Sequence, residues 1–114
     1  MRKLAKGTVV KFYIEQYTTI AIRNKIDNLL SDKIDLDIAV KKLYNSHKIT
    51  GPELLILEIM SEGRTPALGA EEAKMSKWRF IKIYNSVAKK ISDILGWEYS
   101  EERLENSIKM RGKK

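Results

Sequence analysis

The chain contains no cysteine. Disulfides, thiolate zinc sites and cysteine nucleophiles are therefore excluded together, and a reducing, cytoplasmic setting is the expectation. A single histidine, His47, leaves no means of assembling a multi-histidine metal site or a serine–histidine triad. No catalytic residues, metal or cofactor are expected, and the chain does not read as an enzyme. No apolar run approaches the ~20 residues of a membrane span. The opening Met1-Arg2-Lys3-Leu4-Ala5-Lys6 is basic like a secretion signal, but Lys11 and Glu15 interrupt the apolar stretch that would have to follow, so secretion is not expected. The most informative absence is local. From Ala73 to Ser92 there is no carboxylate, although the chain has fifteen Asp and Glu in its 114 residues. The same window carries Lys74, Lys77, Arg79, Lys82, Lys89 and Lys90. Outer helical faces normally mix charge signs. An acid-free face in a chain of net charge +7 selects for polyanionic partners, nucleic acid first.

With 43% apolar residues the chain can build a core, and its length suits one domain with a small helical extension. Apolar residues recur at helical spacing from about Thr8 to Leu30 (Val9, Tyr13, Tyr17, Ile20, Ile26, Leu30), which predicts one long helix with Tyr13 and Tyr17 in the core. A second helix is expected over about 35–46, with Ile38, Leu43 and Tyr44 inward and Lys41 and Lys42 outward. Thr50-Gly51-Pro52-Glu53 reads as a capping box, with Ile49 and Leu54 as its hydrophobic staple, and the helix it opens should stop at Gly63. Thr65-Pro66 starts a short helix to about Ala73. After a tight turn at Lys74-Met75, Ser76 caps a longer helix ending at Gly96. A last helix is expected from Ser100, and Arg111 to Lys114 form a basic tail. His47 reads as an exposed loop residue. The pairs Glu71-Glu72 and Glu101-Glu102 do not read as acid–base pairs, because adjacent residues on a helix point in different directions. The fold class is all-α, with five or six helices in three parts: a helical pair over 1–48, a trihelical core over 49–96, and a helix with basic tail over 97–114.

A short helix, a three-residue turn and a longer helix make the helix-turn-helix layout, whose second helix enters the DNA major groove. Ala70 provides the small side chain where the two helices cross, and Ala73, Met75, Phe80, Ile83 and Val87 provide apolar contacts between them. On the second helix Phe80, Ile83, Tyr84, Val87 and Ile91 form a buried stripe. Lys77, Trp78, Lys82 and Asn85 would then approach base edges. Ser76 and Arg79 would hold phosphates with the basic tail, flanked by Ser86 and Lys89. Lysine pairs with guanine and asparagine with adenine, whereas phosphate contacts supply affinity without specificity. Lys89 and Lys90 lie more than three turns beyond the start of the helix and are expected to be solvated.

Ile49-Thr50-Gly51-Pro52-Glu53 with Leu54, Leu57 and Ile59, then Glu62-Gly63-Arg64-Thr65, then the helix-turn-helix, resembles region 4 of sigma-70-type factors. It also resembles the small sigma-like regulators of bacteriophages and prophages. The resemblance covers about residues 49–95. It departs at Lys74, where the turn usually has glycine, and at Gly69, where a branched apolar residue is usual. It implies a DNA-binding transcription regulator with double-stranded DNA as partner, and it permits contact with RNA polymerase. Two alternatives stand beside this reading: a phage DNA-packaging or replication accessory protein, and a polymerase- or sigma-binding protein that does not read DNA. Apolar residues around the first helix (Val10, Phe12, Ile14 and Ala21 beside its main stripe) suggest that a second copy of the chain covers it, as a homodimer.

Overall fold

The computed structural model describes residues 7–18, 27–97 and 105. Among them are five helices and no strand: α1 (Thr8–Glu15), α2 (Asp27–Asn45), α3 (Gly51–Ser61), α4 (Pro66–Glu72) and α5 (Lys77–Leu95). The fold is all-α. α5 is its centre and packs against each of the other four.

The helix starts follow from the caps written in the sequence. At α3 the Glu53 carboxylate accepts the Thr50 N–H at 3.0 Å, the return half of the capping box. Ile49 is buried ahead of it and Leu54 packs on the core beyond it, as a staple requires. α3 closes through Glu62 into Gly63, whose φ of 84° is the left-handed conformation that costs glycine least. The Thr65 hydroxyl accepts the Leu68 N–H at 3.3 Å to open α4, and Gly96 ends α5 at φ 67°.

The amino-terminal third differs from the pattern read in the sequence. A helix continuous from Thr8 to Leu30 was expected, but α1 stops at Glu15, with Gln16 as its C-cap. Residues 19–26 lie outside the described residues. α2, expected from Asp35, is already helical at Asp27. The polar run Ser31-Asp32-Lys33 reads as a break, yet Asp32 is a core position of α2 and accepts the Tyr13 hydroxyl at 2.9 Å. Asp32, Leu36, Ala39 and Leu43, at steps of four, three and four, are the buried face of α2. Ile38 and Tyr44, expected inward, are about half exposed, because the true stripe is rotated from the one their hydrophobicity suggests. Tyr17 is half-buried and donates to Asp37 at 2.6 Å. The helix expected from Ser100 and the basic tail also lie outside the described residues.

One hydrophobic core draws on all five helices and on Trp97, whose ring lies 4.8 Å from that of Tyr13. Val10 and Ile14 are among the most buried residues of the chain. These two residues are thus covered within the chain and do not call for a second copy. Phe12 is half-buried, and Ala21 lies outside the described residues. Where α4 crosses α5 the side chains of Phe80 and Ile59 lie so close to Gly69 that a Cβ there would fall 2.7 Å from Phe80 Cζ and 3.1 Å from Ile59 Cγ2. The branched residue expected there has no room. Gly69→Ala should lower stability by about 1–3 kcal/mol, the usual cost of overpacking a filled core, as read by denaturant unfolding.

Candidate nucleic-acid interface

α4, its turn and α5 form the unit on which the candidate site depends, and its turn is held by the backbone. Met75 N–H donates to Ala70 C=O at 3.0 Å and Lys74 N–H to Glu71 C=O at 3.1 Å, the paired bonds of a Schellman closure. This closure needs a left-handed residue between helix end and turn, and Lys74 supplies it at φ 58°. The lysine therefore occupies the conformation that glycine would have adopted, and the turn geometry is kept despite the departure in sequence. A lysine in this conformation carries strain that glycine lacks. Lys74→Gly should thus raise stability by about 0.5–1 kcal/mol in a thermal melt, once the extra chain entropy of glycine is subtracted. Ser76 Oγ then accepts the Arg79 N–H at 3.2 Å and fixes the first turn of α5.

The buried side of α5 is wider than expected. Phe80, Tyr84, Val87 and Ile91 are buried and Ile83 packs on the core, but Ala88 and Ser92 are buried too. At Ala88 the reason is α1, whose start lies against it. A Cβ on Gly7 would be 3.2 Å from the backbone of both Ala88 and Lys89. Lys11 Nζ donates to Asn85 Oδ1 at 2.8 Å, and the Tyr84 hydroxyl donates to Glu15 at 3.0 Å. Burial pushes the Tyr84 phenol well above its usual range, and the neighbouring Glu15 carboxylate adds to the shift.

On the opposite side Trp78, Lys82, Ser86 and Lys89 recur at steps of four, four and three, and all four are exposed. Trp78 is 72% exposed, and the Lys82 ammonium lies 4.9 Å from the centre of its ring. Ser76, Lys77 and Arg79 are exposed around the first turn. Seven of the eight site residues expected from the sequence are therefore free to solvent. Asn85 is the eighth, half-buried and bonded to α1. Lys90, expected to be solvated, is a structural residue. It donates to the Lys48 carbonyl and to Glu53, both at 2.9 Å, and ties α5 to the connection between α2 and α3. Burial pushes the Glu53 carboxyl up, but the bonds from Lys90 and Thr50 outweigh it and hold the group below its usual range.

The free face continues into a cleft lined by Pro52, Leu55, Lys74, Met75 and Arg79, so that two cations stand where the turn meets the start of α3. The nearest carboxylates in sequence are Glu72 and Asp93. Glu72 is engaged by Arg64 at 3.0 Å, and Asp93 lies one turn beyond Lys89. His47 is exposed at the end of α2 with φ 61°. Among the described residues no helix is long and apolar enough to cross a membrane. No protein-family model, no curated protein and no solved structure matches the chain.

Proposed function

We propose that this chain is a sequence-specific DNA-binding regulator of transcription, of phage or prophage type, that docks α5 in the major groove of duplex DNA. One observation carries the reading. The solvent-facing side of α5 is exposed, cationic and free of carboxylates from its cap to Lys89, and a Schellman turn and a serine cap anchor it to α4. Ser76, Arg79 and Lys74 hold phosphates at the start of the helix, where its dipole also favours anions. Lys77, Trp78 and Lys82 meet base edges, and Ser86 and Lys89 flank them. Asn85 has a smaller part than its residue type suggests, because its carbonyl oxygen already accepts from Lys11.

Selection of bound fragments from random duplex DNA tests specificity. One preferred site should emerge. Lys82→Gln should then cost about 1–3 kcal/mol on that site and much less on scrambled DNA, since a base-edge contact carries discrimination. Equal losses on both would assign Lys82 to the backbone instead. A second reading, docking on RNA polymerase or a sigma factor, draws on the exposure of Trp78, a side chain typical of binding hot spots. The absence of carboxylates from Ala73 to Ser92 favours DNA.

A further inference from the structure

α1 reaches onto the exposed cationic side of α5 at one point. Asn85 stands in the row of that side, three residues beyond Lys82 and four before Lys89, and so shares their face of the helix. The Lys11 ammonium comes to it from α1 and donates to Oδ1 at 2.8 Å. Two contacts place Lys11 there. Its N–H donates to the Gly7 carbonyl at 2.9 Å, one turn back, where a Cβ would already be 3.2 Å from the backbone of Ala88 and Lys89. Its Nζ lies 5.7 Å from the centre of the Tyr84 ring. Glu15 is a further turn along α1, where it accepts from the Tyr84 hydroxyl.

An ammonium only donates, so this bond decides how the Asn85 amide is turned: the oxygen meets Lys11 and the NH2 group lies away from it. A free asparagine reads adenine by accepting from N6 and donating to N7 at once. Here the accepting half is engaged, and a positive charge stands beside it. The pair offers a base N–H donors alone, from Asn85 Nδ2 and from the remaining protons of Lys11. In the major groove guanine is the base that presents two adjacent acceptors, N7 and O6, with no donor between them. We infer that Lys11 is a specificity-determining positioning residue, which turns Asn85 from an adenine reader into one half of a guanine-reading pair. The inference rests on the DNA-binding reading of α5 and names the base that this part of the helix selects.

The test selects bound fragments from random duplex DNA with the full chain, K11M, K11R and N85D, with a thermal melt of each alongside. The full chain should select guanine at the position whose identity changes in N85D. K11M frees the amide oxygen and should select adenine at that same position. It should bind the parent's site about 5- to 100-fold more weakly and its own adenine site nearly as tightly as the parent binds guanine. K11R keeps a donor beside Oδ1 and should keep guanine. N85D keeps a partner for Lys11, so its melt should match the parent's, but it offers no donor and should lose guanine. A site unchanged in K11M, guanine retained by N85D, or adenine or no preference there in the full chain would overturn the inference and leave α5 as the DNA-binding element. A K11M variant that weakens all sites alike would also overturn it, since Lys11 would then serve only to hold α1 in place. A full chain that binds no duplex would overturn it together with the function it extends.

Discussion

Removing residues 1–48 is expected to leave a chain without a stable tertiary structure. Among the described residues, seven of the nineteen buried apolar residues of the core, Val9, Val10, Tyr13, Ile14, Leu36, Ala39 and Leu43, lie in that part. Burial of each large side chain among them contributes about 1.5–3 kcal/mol, so their loss approaches or exceeds the ~5–15 kcal/mol by which domains of this size are stable. The truncation also strips α1 from Ala88 and removes Glu15 from the Tyr84 hydroxyl. Circular dichroism and hydrogen exchange on a 49–114 fragment check this. Rapid exchange throughout is the expected result. A cooperative melt close to that of the full chain would show that the helix-turn-helix is an independent unit and that α1 and α2 are accessory to it.

Phe80→Ala carries the next largest effect. The ring is fully buried, and it fills the crossing of α4 on α5 so tightly that Gly69 has no room for a methyl group. Its removal opens a cavity lined by Ile59 and the α4 backbone, at a cost of about 3–5 kcal/mol. The cavity lies at the contact that sets the angle between the two helices of the motif, so stability and DNA affinity should fall together. Gly69→Ala combined with Phe80→Leu should recover part of the loss, because the added methyl group then enters vacated space. Denaturant unfolding of the three variants decides it. Phe80→Ala within about 1 kcal/mol of the parent would mean that the crossing is not packed through this ring.

The sequence was most legible where local chemistry dictates local geometry. Thr50, Thr65 and Ser76 each cap the helix they were expected to cap, and Gly63 and Gly96 close theirs, because these effects involve only a few neighbouring residues. The stripe of α5 was legible for the same reason, since nineteen residues at one period leave little ambiguity. The amino-terminal third was not, and there non-local contacts decide. Asp32 looks like a linker residue until the Tyr13 hydroxyl is placed against it. Ile38 and Tyr44 look like core until α2 is rotated by the fit of Leu36, Ala39 and Leu43 to α5. The burial of Ala88 and Ser92 escaped notice because both are small and carry little hydrophobic signal of their own. Lys90 and Asn85 looked free because a single sequence does not reveal that Glu53, Lys48 and Lys11 lie within bonding distance of them. Glycine at position 69 could have been a clue, since a glycine inside a helix often has a packing reason, here the Phe80 ring and Ile59.

The central claim is that the exposed face of α5 neutralises the phosphates of duplex DNA. Its most direct test is the salt dependence of duplex binding by the full chain, measured beside a K77Q/R79Q/K82Q variant. Lys77, Arg79 and Lys82 are exposed and outside the core, so the variant should fold like the parent. The full chain should bind with a log–log slope of about −4 to −5, the mark of four to six phosphates neutralised. The variant should bind more weakly, with a slope shallower by about 2–3. Absence of binding to any duplex at low salt, or a variant whose slope matches that of the parent, would contradict the account and move the search to a protein partner seated on Trp78.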